Sequence, residues 1–221
     1  MDKMLKARLL DYYYSKSDKN QRVGKMSGIK IQKFLFFYNV FSYLDKKDYT
    51  DKLLYAYPQG PVYVDVMKSY IDLRDTKLVS VYFKSISSNL DKFNIDSNSA
   101  RVALRFVDMI PDNELSVVTH NLETWLEKYS KYINDREKSV FTFNDFTKHD
   151  IEFLSKIKSN FSDVEIDKYV VRYSDSSSFL IEKENYNKII NLVSGEANLC
   201  NIVSDANPVY LYMEGEDLYI D

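Results

Sequence analysis

Two imidazoles and one thiol are available for acid–base or nucleophilic chemistry in these 221 residues: His120, His149 and Cys200. A nucleophilic hydrolase announces itself by a serine or cysteine in a local motif that brings a histidine to it, and none is present. Cys200, in NLCNIV, has no basic neighbour to favour its thiolate and reads as a small buried hydrophobe. One cysteine cannot form an internal disulfide, which fits a reducing cytosol, and two histidines with one thiol do not complete a structural zinc site. His149 falls in the first turn of a predicted helix beside Asp150 and reads as a solvated surface group. His120, in NELSVVTHNLETW, is attached to an apolar helical stripe, where a hydrogen-bonded structural histidine is favoured over a general base. Carboxylate pairs such as Asp145 and Asp150 occur in any chain this charged. The five glycines are scattered and form neither a P-loop nor a dinucleotide fingerprint. No catalytic residue, cofactor or metal is expected.

The elements that would position these residues can be read from periodicity. Met4 to Tyr14 predicts a helix with Met4, Leu5, Leu9 and Tyr12 near one face. GIKIQKFLFFYNVFSYLDK is apolar at most positions and proline-free, so it predicts a helix in the middle of the core. Its polar positions demand explanation: Lys30 and Lys33 are assigned to a wet amino-terminal end, while Gln32 and Asn39, seven apart, share a face. LLYAYPQGPVYVDV then crowds two of four prolines and a glycine together. Pro58 disfavours helix at Tyr57, Gly60 can take positive φ, and Pro61 suits the first position of a helix through Val62, Val66, Tyr70 and Leu73. That reading makes the stretch a corner between two helices.

Further along, TKLVSVYFKSI suggests a short strand and Ser85 to Asn98 a loop. Ala100 to Ile110 predicts a helix ended by Pro111, with Asp112 or Asn113 capping another through Leu115, Val118 and His120. Polar INDREKS marks a boundary. Beyond it come a helix capped by Thr147 with an Ile151, Leu154, Ile157 stripe, the segments YVVRY and SFLIEK, a short helix over Tyr186 to Val193, and a closing hairpin in PVYLYMEGEDLYID. The expected fold is mainly α: a helical core over residues 1–133 and a small α+β extension over 134–221 that ends in a β-hairpin.

Composition excludes several classes. Hydrophobic residues make up 45% and charged residues 29%, too apolar for a disordered chain. A net charge of -3 from 30 basic and 33 acidic residues leaves no footprint for nucleic acid or anionic membrane. No run of eighteen apolar residues and no signal-peptide core is present, so a cytoplasmic protein is expected. The nineteen tyrosines match the codon bias of a low-GC genome as well as any functional selection.

Three pieces in order carry more information: GIKIQKFLFFYNVFSYL, YAYPQGPVYVDVMKSY and NELSVVTHNLETW. Together they resemble the Panacea-domain family, also called SocA-like antitoxins. In that family a helix with a Leu-Gln-Lys-Leu-Leu-Tyr core precedes an Ala-x-x-x-Gly-Pro-Val turn and a later Leu-Ser-x-x-Thr-His with a tryptophan. Ile31, Gln32, Lys33, Phe34, Leu35 and Tyr38 match the first piece. Ala56, Gly60, Pro61 and Val62 match the second; Leu115, Ser116, Thr119, His120 and Trp125 match the third. Glu123-Thr124 departs from the Asp-Pro or similar pair that usually precedes the tryptophan. The resemblance covers residues 25 to 130.

The resemblance implies the antitoxin of a bacterial or phage toxin–antitoxin pair, which neutralises a cognate toxin by direct protein contact and has no chemistry of its own. Its motif residues would be mainly structural, and the region after Ile133 would help choose the partner. The alternatives are a proteolytic adaptor that delivers the toxin to a protease, and a DNA-binding autoregulator with a local basic surface including Lys25, Lys30 and Lys33. An enzyme with His120 as acid or base is the remaining one.

Overall fold

The structure, a computed structural model, describes residues 2–16, 27–73, 94–135, 139–162, 168–173, 178–202 and 208–221. Helix α1 (Asp2–Lys16) leads to α2 (Gly28–Leu44), capped by Ser27, whose hydroxyl accepts the Lys30 N–H at 3.0 Å. A hairpin of β1 (Leu54–Tyr57) and β2 (Gly60–Tyr63) runs directly into α3 (Val64–Leu73). Helices α4 (Ser97–Met109), α5 (Asp112–His120), α6 (Glu123–Asp135) and α7 (Lys148–Ser162) follow.

Helix α2 is the axis of the core. Every residue from Ile31 to Ser42 is buried, as a helix apolar all round must be. Phe37 meets Phe106 of α4 edge to face at 4.6 Å, and Phe106 meets Phe161 of α7 at 4.9 Å. Ala100 and Ala103, one turn apart on α4, are fully buried and leave room for the large rings of α2. Gln32 and Asn39 do share a working face. The Gln32 amide accepts from the Tyr63 N–H at 2.9 Å and donates to the Tyr63 carbonyl at 3.2 Å, while Asn39 accepts from the Thr50 N–H at 2.8 Å. Tyr63 closes the link by donating to the Thr50 carbonyl. One polar row on an apolar helix thus fixes the whole segment from Thr50 to Tyr63.

The corner expected at YAYPQGPVYV is a hairpin instead. Leu54 pairs with Tyr63 and Tyr57 with Gly60 across the two-residue loop Pro58-Gln59, and the helix begins at Val64 rather than Pro61. The Val64 N–H bonds the Leu53 carbonyl, so alternation points the main-chain groups of residues 61 and 63 away from β1. Proline therefore costs no ladder bond at 61, and the outward groups of Tyr63 are those that Gln32 satisfies. Proline is tolerated at a helix start and at such a strand position alike, and spacing alone could not separate the two. Residues 139–141 flank the other edge of β1, where the Ala56 N–H bonds the Ser139 carbonyl and the Phe141 N–H the Leu54 carbonyl.

The boundary expected after Ile133 falls inside this first core. Helix α6 continues to Asp135, and Phe141, Phe143, Phe146 and Leu154 pack with the residues of α2. Ile151 is exposed, so the buried stripe of α7 is carried by Leu154 with Ile157, Phe153 and Phe161. In α1 the buried face is Leu5, Leu9 and Tyr13 with Lys6 and Leu10, while Met4 and Tyr12 are only partly covered. Pro111 ends α4 as expected, but it occupies the N-cap of α5, and Asp112 and Asn113 lie inside that helix's first turn. The strand expected over 76–86 lies outside the described residues, as do residues 85–93 of the expected loop; Ser97 and Asn98 already belong to α4.

A second, smaller core forms around a four-stranded sheet ordered β3 (Tyr169–Tyr173), β4 (Ser178–Glu182), β5 (Val209–Glu214) and β6 (Asp217–Ile220). β4 and β5 are parallel and are connected through α8 (Tyr186–Leu192); the other pairs are antiparallel. Phe179, Ile181, Val209 and Leu211 pack with Ile189 and Leu199 on one face of the sheet. The closing hairpin turns at Gly215-Glu216. The protein is mainly α with a small sheet region, and among the described residues no helix is long and apolar enough to cross a membrane.

Candidate functional site

The three sequence pieces meet at the tip of the β1–β2 hairpin. Lys33 comes from the first turns of α2, Gly60 from the hairpin, and Thr119 and His120 from the end of α5. The Lys33 ammonium donates to the Gln59 carbonyl at 2.5 Å and to the Thr119 hydroxyl oxygen at 2.7 Å. Thr119, fully buried, passes its own proton back to its helix through the Ser116 carbonyl at 2.9 Å. Gly60 has φ of +98° and lies where Lys33 Nζ and Thr119 Oγ1 converge, so these two atoms occupy the space a side chain would need.

Lys33 does not sit at a wet helix end. It is 1% exposed, and among the described residues no carboxylate pairs with it. Burial without a counter-ion lowers its pKa from 10.5 to about 7. Lys30 reaches back to the Val107 carbonyl at 3.1 Å. Lys33 therefore adds nothing to a basic surface, Lys30 is partly covered, and Lys25 lies outside the described residues.

His120 lies flat on Trp125, with ring centroids 4.0 Å apart and planes 16° from parallel. Burial first, and then the nearby Lys33 charge, hold its pKa below the ordinary value, against a hydrogen bond with the Pro58 backbone. Its Nε2 is buried and has no hydrogen-bond partner among the described residues. Trp125 donates to the Tyr57 carbonyl at 3.2 Å, and the stack continues from Trp125 to Tyr129 at 4.7 Å, then through Tyr132 to Tyr57. The hairpin tip is thus clamped on one side by Lys33 and Thr119 and on the other by an aromatic column.

The remaining motif residues divide by role. Gln32 holds β2 as described, and Pro61, Val62 and Leu115 are buried packing residues. Tyr38 accepts the Asp96 N–H at 3.0 Å and so fixes the start of α4, where Asp96 caps the Ser99 N–H at 2.8 Å. Ser116 does not join the cluster, since its hydroxyl bonds the Asp112 carbonyl of its own helix.

Two buried charged groups were not legible from spacing. Lys6 donates to both Asp65 oxygens at 2.9 and 3.0 Å and lies over the Tyr63 ring at 4.4 Å. Asp150 is completely buried and accepts from the Glu123 and Thr124 N–H groups at 2.8 and 3.1 Å, from the Thr124 hydroxyl at 2.6 Å, and from the Thr147 N–H at 3.3 Å. The T-x-x-D spacing from Thr147 was a visible signal for half of this. Glu123, His149 and Asp150 bring metal-ligating atom types within 4.8 Å of one another, but the Asp150 oxygens are taken up by these N–H and O–H donors. The geometry is that of a capped helix pair. His149 is exposed, as its position suggested.

Chemically the Lys33 amine is covered and packed against Gly60, the arrangement of a structural pin rather than of a nucleophile presented to substrate. It has a measurable consequence. Between pH about 7 and about 10.5 the unfolded chain carries a proton on Lys33 that the folded chain has lost, so folding stability rises with pH there, by up to about 1.4 kcal/mol per unit. Below about 7 both states are protonated and the penalty is constant. The Lys33→Met variant should lack this rise. Urea midpoints measured from pH about 7 to about 9 should climb in the native chain relative to the variant; parallel midpoints would show that burial does not perturb the amine.

The fold and this cluster together define a mainly helical protein whose described motif residues pin a hairpin to a helical core. Compared with protein-family models, curated proteins and solved structures, the chain matches none.

Proposed function

We propose that this chain is the antitoxin of a bacterial or phage toxin–antitoxin pair, acting in the cytoplasm by binding its toxin directly. One observation supports the reading above the others. The three pieces that resemble the Panacea domain are separated by long stretches of chain, yet Lys33, Gly60, Thr119, His120 and Trp125 assemble around one hairpin tip. Motif residues that share a sequence by chance have no reason to share a site. Their work here is packing and pinning, which suits a binding scaffold without chemistry of its own.

Co-expression tests the proposal. The product of an adjoining reading frame should arrest growth alone, be harmless beside this chain, and co-elute with it on gel filtration. Unrelieved arrest with no complex would sink the reading. A toxin that disappears faster when the chain is present, rather than accumulating in a complex, would instead assign it the adaptor role.

A further inference from the structure

The β5–β6 hairpin carries features that its own fold does not use. Asp221 and Tyr210 exchange main-chain hydrogen bonds at 2.7 and 3.0 Å, which fixes the alternation along the ladder. Tyr219 and Asp217 must then also bond inward to β5, leaving the N–H and C=O groups of Leu218 and Ile220 pointing off the sheet. β6 is an edge strand, and among the described residues nothing pairs with that side. Ile220 and Tyr219 are 48% and 41% exposed.

The charge on this hairpin is one-sided. Glu214, Glu216, Asp217 and Asp221 are exposed, residues 208–221 contain no lysine or arginine, and none of the four makes an ion pair among the described residues. Lys188 reaches this turn but donates to the Gly215 carbonyl. Glu214 lies directly opposite Asp217, an arrangement that opposes strand pairing. Beside these carboxylates Tyr212 and Tyr219 stack across the strands at 5.6 Å, which offers ring faces to a guanidinium or ammonium.

We infer that the outer edge of β6, with its carboxylates and tyrosines, docks an extended basic segment of the partner protein by strand addition. Main-chain pairing to Leu218 and Ile220 supplies register, and lysines or arginines on the added strand neutralise the acidic row. A second copy of this chain is the wrong occupant, because edge-to-edge self-pairing lines the carboxylates of both copies along one seam. The partner's identity as a toxin rests on the antitoxin reading; the chemistry of the edge does not.

The full chain, isotopically labelled, is titrated with a synthetic peptide of alternating arginine and valine, and with its glutamate–valine counterpart. The basic peptide should shift the Leu218 and Ile220 amide resonances, and the acidic one should not bind. Ile220→Pro removes one outward N–H, and Asp217→Lys with Asp221→Lys cancels the negative charge of the row, leaving Glu214 and Glu216 against two lysines. Each should weaken binding at least tenfold while leaving the melting temperature within a few degrees. Absent binding, binding indifferent to both variants, or self-association through this edge overturns the inference. The growth assay separates the two proposals. A native chain that binds the peptide but does not rescue growth leaves the edge and removes the antitoxin role, whereas rescue undiminished in both variants does the reverse.

Discussion

Gly60→Val should unfold the protein or leave it barely stable, whereas Gly215→Ala should cost about 1 kcal/mol. Both glycines have positive φ, +98° and +67°, so both substitutions strain the backbone. They differ in what surrounds them. A Cβ at Gly215 meets nothing within 4 Å, while one at Gly60 would overlap Lys33 Nζ and Thr119 Oγ1. Neither atom can withdraw freely, since Lys33 is held by the Gln59 carbonyl and Thr119 lies inside a packed helix. Strain and overlap together should reach about 5 kcal/mol, comparable to the whole stability of many domains. Urea denaturation of the two variants checks this. In a Lys33→Met background Gly60→Ala should be less damaging than in the native chain, because the ammonium that crowds the position is gone. Equal costs at Gly60 and Gly215, or no coupling to Lys33, would show that the hairpin tip is not pinned as described. Under the proposed antitoxin role, loss of neutralisation in Gly60→Val should follow loss of folding; a stable variant that fails to neutralise would place this tip at the partner interface.

Spacing alone reads this hairpin as a helix corner. The tokens for a turn were all visible in YPQGPV, and Gly60 was correctly marked for positive φ. What spacing could not supply was the orientation of Pro61, which depends on which main-chain groups face β1 and on Gln32 satisfying those of Tyr63 from another helix. Lys33 shows the same limit. Near a helix start, a lysine reads as solvated, and only the approach of Gln59 and Thr119 from distant segments makes its burial tolerable. The central position of α2 was legible because a helix apolar on every side has no alternative, and the closing hairpin because its alternation flanks a glycine turn. The boundary at Ile133 failed for a related reason. A polar stretch marks where the chain leaves the core, but it cannot say whether the chain returns, as Phe141, Phe143 and Phe146 do.

Asp150→Ala should be the most damaging single substitution outside the hairpin tip, at about 4 kcal/mol. The N-terminus of every helix leaves N–H groups without intrahelical acceptors, and here two helices solve that problem with one carboxylate. Asp150 accepts from Glu123 and Thr124 at the start of α6, and with Thr147 it forms a reciprocal cap at the start of α7, the Thr147 hydroxyl accepting the Asp150 N–H at 3.1 Å. Both helix dipoles also favour a negative charge at this point. Alanine leaves the buried Thr124 N–H without its acceptor and removes the carboxylate link between α6 and α7, loosening the platform that carries Trp125, while the Thr124 hydroxyl keeps the Asp145 carbonyl at 3.0 Å. The Glu123-Thr124 pair thus has a physical role of its own, since Thr124 supplies a hydroxyl donor at 2.6 Å as well as its N–H. Thr147→Ala removes part of the cap of α7 and an exposed hydrogen bond to Glu123 of α6, and should cost about 1 kcal/mol. Asp150→Asn should fall between the two, because it keeps one acceptor but turns an NH₂ group toward a row of donors. Denaturation midpoints in the order native, Thr147→Ala, Asp150→Asn, Asp150→Ala are the expected result. An Asp150→Ala variant no weaker than Thr147→Ala would mean that the carboxylate serves α7 alone and that the contact between the two helices rests on packing.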